Sequence, residues 1–116
     1  MKRPLVIAVD FDGTLCEHRF PDIGEPHRDV ITGLIRLRKA GYKLILWTCR
    51  EGEYLMNAVR WCHQHGLDFD ALNENLTETV RTLRADPRKI IADVYLDDRA
   101  CAPDDLVKKM LEVMQQ

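Results

Sequence analysis

The sequence has no apolar run long enough to cross a bilayer. Its longest, Leu5–Val9 and Leu44–Trp47, fall far short of the roughly 20 residues that a spanning helix requires. It also has no excess charge of one sign. Seventeen Lys+Arg against nineteen Asp+Glu leave a net charge of −2, so a polyanion-binding face, and a nucleic-acid substrate with it, finds no support. It has no C-x-x-C pair. Cys16, Cys49, Cys62 and Cys101 are scattered, and the nearest thing to a zinc motif, His63-x-His65, sends its two rings to different sides of a helix. The basic flank Met1–Arg3 precedes an apolar stretch that Asp10 and Asp12 interrupt, so no signal peptide is expected. These absences predict a cytoplasmic protein with reduced thiols and no membrane partner. Aromatics make up only 7% of the chain, and with the four methionines they read as core filler rather than a cofactor box.

What is present suits one globular domain spanning residues 1–116. The chain is 46% hydrophobic and 31% charged, enough for a single proper core. Leu5–Val9 is a continuous, β-branched apolar run and predicts a strand buried on both faces. Residues 15–26 are irregular. Pro26 is placed to open a helix that buries Val30, Ile31, Leu34 and Ile35 and stops at Gly41. Tyr42–Trp47 predicts a second strand, and Glu51–His65 a helix with Leu55, Ala58, Val59 and Cys62 inward and Gly66 as its cap. A weak strand over Phe69–Leu72 follows. Asn75-Leu76-Thr77-Glu78 resembles a capping box for a short helix burying Leu76, Val80 and Leu83. Ile90–Leu96 predicts another strand. Pro103 is placed to start a last helix with Leu106, Val107, Met110, Leu111 and Met114 on one face. Strands alternating with helices predict a three-layer, Rossmann-like α/β domain on a parallel sheet. Ligands of such sheets bind at the C-terminal strand edge. Asp10, Asp12, Thr48, Asp97 and Asp98 all fall there.

The strongest chemical signal is Asp10-Phe11-Asp12-Gly13-Thr14, directly after a buried strand. In extended chain Asp10 and Asp12 share one side while Phe11 stays in the core, and Gly13 permits a sharp turn beyond them. Such a pair can divide labour between attack and proton transfer. With Asp97 and Asp98 nearby, four carboxylates on one edge would repel without a cation. Hard oxygen ligands in an open site suit Mg²⁺, and no twelve-residue calcium loop is present. Thr48 ends a strand where its hydroxyl and the next backbone N–H groups can meet an anion, although Thr at such a junction commonly serves as an N-cap.

Asp-x-Asp-Gly-Thr after a strand, Thr48 ending the next, the later Lys89 and then Leu96-Asp97-Asp98 resemble the four motifs of the haloacid dehalogenase (HAD) superfamily, in that family's order. The resemblance implies a HAD-like fold and an Mg²⁺-dependent phosphatase acting on a phosphorylated substrate. It implies Asp10 as the nucleophile that forms an aspartyl-phosphate, and Asp12 as general acid/base. Thr48 would bind the phosphoryl oxygens, and Lys89, or its neighbour Arg88, would neutralise them. Asp10, the Asp12 carbonyl and Asp98 would hold the metal, with Asp97 beside it. Asp at the second position of the first motif favours phosphatases over dehalogenases.

Cap domains of that superfamily enter after the first motif or between the second and third. Residues 15–26 are too few for one, and 49–88 are consumed by regular elements, so a capless domain with a small flap is expected. An open site suits a bulky substrate, or a small one covered by a second copy of the chain. Glu17, His18 and Arg19 on the flap, with Arg50 and Arg99 beside the motifs, are candidates to touch substrate. Two other readings compete. One is a phospho-accepting receiver domain, whose acidic pair closes the first strand; the other is a catalytically silent binding module, which normally lacks a motif residue.

Overall fold

A computed structural model describes residues 4–100, 105 and 111–115. The Met1–Arg3 flank, Cys101, and the Pro103, Leu106, Val107 and Met110 positions of the expected last helix lie outside the described residues. Within them, β1 (Val6–Val9), α1 (Arg28–Lys39), β2 (Lys43–Leu46), α2 (Gly52–Gln64), β3 (Ala71–Leu72), α3 (Thr77–Leu83) and β4 (Val94–Leu96) follow in order. The four strands form an all-parallel sheet in the order β3-β2-β1-β4. No described helix is long and apolar enough to cross a membrane.

The two central strands are buried along their length, as their apolar runs require, and their odd and even positions feed two cores. Ile7, Val9, Leu44 and Leu46 meet Ile31 and Leu34 of α1 and Ala58 and Cys62 of α2 on one face. Val6, Ala8 and Ile45 meet Leu76, just before α3, and Ile90 on the other. The connection from β1 to β2 thus covers one face and the return to β4 the other. The two diverge at β1, and a crevice opens beyond its C-terminal end.

Both long helices follow their sequence signals. Asp29 lies in the first turn of α1 and Arg36, Arg38 and Lys39 in its last, which complements the helix dipole. Its start lies two residues later than expected: Pro26 pairs with Cys16 instead of opening the helix, and His27 is the cap residue. Leu55 and Val59 of α2 pack half-buried against the core beside the buried Ala58 and Cys62. Burial raises both core thiols, Cys62 to about 12, so they stay protonated in the core.

Four expectations are corrected. The Asn75 capping box does not form. Leu76 is the cap residue of α3, and the buried Asn75 amide instead donates to Asp86 Oδ1 and the Pro87 carbonyl and accepts the Ile91 N–H. Leu83 is exposed rather than buried. The strand expected over Ile90–Leu96 shrinks to Val94–Leu96, because side chains take the backbone groups before it: Asn75 holds Ile91, and the Asp93 carboxylate accepts the Val6 N–H at 2.7 Å. Leu111 and Met114, expected on the inward face of the last helix, are exposed.

Candidate active site

The strand register brings the acidic residues together. Val9 pairs with Leu96, and the Asp10 N–H donates to the Leu96 carbonyl at 2.9 Å, so Asp10 and Asp97 are the first residues past two adjacent strand ends. One carboxylate oxygen from each of Asp10, Asp97 and Asp98 lies within 4.8 Å of the other two. Burial, and then the Asp97 and Asp98 charges, push the Asp10 carboxyl up to about 6 against the lowering hydrogen bond from Phe11. Thr14 donates to Asp10 Oδ2 over a long 3.4 Å.

Gly13 is required on two counts. Its φ is +86°, and a Cβ there would lie 2.1 Å from Asp98 Oδ2. Only the missing side chain lets the Asp98 carboxylate rest against the turn of the first motif. Asp97 is oriented in turn by the Arg99 N–H, which donates to its Oδ1 at 2.8 Å. Three hard carboxylate donors on rigid strand ends, each within reach of the other two, form a donor set that fits a small divalent ion such as Mg²⁺.

These carboxylates floor a cleft of about 420 Å³, which Asp12, Thr48 and Cys49 also line, with His18 and Phe20 of the flap and Arg99 on its rim. Thr48 is held from both sides. Its N–H donates to Asn73 Oδ1 at 2.8 Å and its Oγ1 accepts the Arg50 N–H at 3.1 Å. Asn73, which no motif of the sequence singles out, therefore supports the site. It adopts a positive φ of 52°, where Asn is favoured among non-glycine residues, and it also donates to the Arg50 carbonyl.

Asp12 lines the same cleft as Asp10 but has a different partner. Its Oδ2 accepts Arg50 Nε at 2.9 Å and its Oδ1 accepts Arg50 Nη2 at 2.8 Å, a bidentate pair. Arg50 lines the cleft too, but the expectation that its guanidinium is free to touch substrate is corrected. Its remaining donors go to the carbonyls of Pro21, Asp22 and Tyr54, and its side chain is 1% exposed. Lys89 is corrected as well. It is exposed, its Nζ lies 5.4 Å from the Tyr95 ring centroid, and neither it nor Arg88 lines the cleft. The reason is length: Lys89 precedes Asp93, which pairs with Val6 at the opposite edge of the sheet, so the whole of β4 separates it from Asp97. Among the flap residues, Glu17 and Arg19 pair with each other in solvent, while His18 reaches the cleft. His63 and His65 diverge as expected, one to Asp68 and the other onto Trp61.

A parallel α/β domain with an acidic triad at its topological switch point is the class that fold and site define. No protein-family model and no curated protein matches the chain. Among solved structures it is similar to a conserved protein from Bacteroides thetaiotaomicron. The two share 37% sequence identity and superpose with a TM-score of 0.75 over 97% of this chain and 93% of the other. The chain belongs to the same family as that protein.

Proposed function

We propose that the chain is an Mg²⁺-dependent phosphomonoester hydrolase of the haloacid dehalogenase type, without a cap domain, working through an aspartyl-phosphate on Asp10. The convergence of Asp10, Asp97 and Asp98 beyond the ends of β1 and β4 carries this reading. The triad and the Asp12 carbonyl would hold the metal, which when bound supplies positive charge to the phosphoryl oxygens and to Asp10.

The residues then divide the work. An Asp10 carboxylate oxygen attacks phosphorus as the ester bond to the leaving oxygen breaks, and Asp12 gives that oxygen its proton. Asp12, now a base, takes a proton from the water that cleaves the aspartyl-phosphate, returning Asp10 and releasing phosphate. Thr48 Oγ1 accepts a hydrogen bond from Arg50, which leaves its own proton for a phosphoryl oxygen. With Lys89 remote, Arg99 and His18, which line the cleft among the described residues, take over contact with the phosphoryl group.

Release of nitrophenol from p-nitrophenyl phosphate tests the proposal. Activity is expected with Mg²⁺, lost in EDTA and restored by excess Mg²⁺. Undiminished activity in EDTA would remove the metal from the scheme. No phosphate release across sugar, nucleotide, phosphopeptide and oligonucleotide phosphates would refute the enzyme and favour a binding module.

A further inference from the structure

We infer that Arg50 is a positioning residue that couples the seating of the flap, residues 15–26, to the orientation of the Asp12 carboxylate; this rests on Asp12 being the acid–base group proposed above. A guanidinium carries five N–H donors in one rigid plane. In Arg50 every one is used. Two hold Asp12, at 2.8 and 2.9 Å. Two hold the flap, through the Asp22 carbonyl at 2.8 Å and the Pro21 carbonyl at 3.2 Å, and one reaches the Tyr54 carbonyl in α2 at 3.4 Å. The plane is also sandwiched: its central carbon lies 4.9 Å from the Phe11 ring and 5.0 Å from that of Phe20, at the flap tip. Phe20 in turn packs edge-on to Tyr54 at 5.4 Å.

One buried cation therefore joins the first motif, the flap and the start of α2. Lifting the flap removes an aromatic face and two carbonyls from a guanidinium whose other donors stay bound to Asp12 and Tyr54, which is costly for a buried charge. The fork is planar, so a tilt that follows the flap also turns the edge that grips Asp12. Flap and carboxylate move together. A simple structural ion pair predicts something else: weakening it would lower stability and slow every substrate alike.

The full-length protein with Asp12→Asn, Arg50→Lys, Phe20→Ala and, as control, Asp10→Asn separates the two. Asp12→Asn replaces one acceptor of the fork by a donor, so amide exchange over residues 17–25 is expected to rise roughly tenfold, while Asp10→Asn leaves it unchanged. Unchanged flap exchange in Asp12→Asn would overturn the coupling. Lysine cannot span both partners, so Arg50→Lys is expected to lose about a hundredfold on glycerol phosphate, whose leaving oxygen needs a proton. Its first-turnover burst on p-nitrophenyl phosphate should stay largely intact. Phe20→Ala, which removes an exposed ring, should show the same split more weakly. Equal losses on both esters would overturn the inference while leaving the hydrolase standing. A wild-type protein that hydrolyses neither ester overturns the hydrolase and this inference with it.

Discussion

The two ends of the sheet use the same residue for opposite purposes. At the N-terminal end, Asp70 precedes β3 and Asp93 precedes β4. Each places a carboxylate where a strand carbonyl would be, accepting the N–H of Leu44 at 2.8 Å and of Val6 at 2.7 Å. Each returns its own N–H to the same partner's carbonyl, both at 2.7 Å. At the C-terminal end, Asp10, Asp97 and Asp98 face one another. Their titration differs accordingly. Burial works to raise Asp70, but the Arg38 and Leu44 hydrogen bonds outweigh it and hold the group below the ordinary range. Burial and two like charges push Asp10 up to about 6. A carboxylate that finishes a ladder is satisfied by its own chain; one that meets two others awaits something from outside.

The largest effect that separates the ends is on turnover. Asp10→Asn is expected to abolish phosphate release, because an amide does not attack phosphorus, while metal-free stability at pH 7 rises by about 3 °C in Tm as the repulsion is relieved. Retained turnover, or a marked fall in Tm, would break the comparison. Next comes Gly13→Ala, whose Cβ would displace Asp98 and is expected to cost about a hundredfold in turnover. Gly66→Ala, at φ +83° with Ile35 Cδ1 3.6 Å away, should cost about 1 kcal/mol of stability and no activity. Comparable activity losses in the two would deny Gly13 its particular role.

A smaller effect belongs to the other end. Asp70→Ala or Asp93→Ala leaves a buried N–H of β2 or β1 unpaired, and each should lose about 2 kcal/mol in urea denaturation with turnover per folded molecule unchanged. The smallest effect is on pH dependence. The raised Asp10 binds more protons folded than unfolded, so its contribution is fully present below the ordinary carboxylate range and is lost as pH rises through about 6; Mg²⁺ should erase that loss. The depressed Asp70 runs the other way. Its contribution is present above the ordinary carboxylate range and is lost as pH falls below it, and Asp70→Ala should flatten the acid limb of a thermal melt series.

Much of this is legible in the sequence. Continuous β-branched runs mark β1 and β2, period and caps mark α1 and α2, and Asp10 and Asp97 are placed together by the rule that open parallel sheets bind at their C-terminal edge. What was illegible depends on side chains that replace backbone. Asn75 reads as a cap because its spacing to Glu78 is right, yet its amide holds a loop eleven to sixteen residues onward. Asp93 shortens β4 by taking a strand's hydrogen bond, and Lys89, which precedes that strand, lies at the far end of the sheet from Asp97. Arg50 looks like any arginine beside a motif. Nothing local announces that its partners lie 28 to 38 residues earlier in the chain.

The flap has one further property. Its base is closed by backbone pairing, with the Glu17 N–H on the Glu25 carbonyl at 2.9 Å and the His27 N–H on the Leu15 carbonyl at 2.8 Å. Gly24 lies so close to Glu17 that a Cβ there would sit 2.5 Å from its carbonyl oxygen. The loop beyond that seam is held by Ile23, packed against the core, and by the contacts of Phe20–Asp22 with Arg50. Chain inserted between Glu17 and Phe20 would add only about 0.6 kcal/mol of closure cost for each doubling of loop length. Because the seam and the Phe20–Asp22 anchor both survive such an insertion, this is the position at which the domain could acquire a new cover, by engineering or by descent, while the acidic edge keeps its geometry.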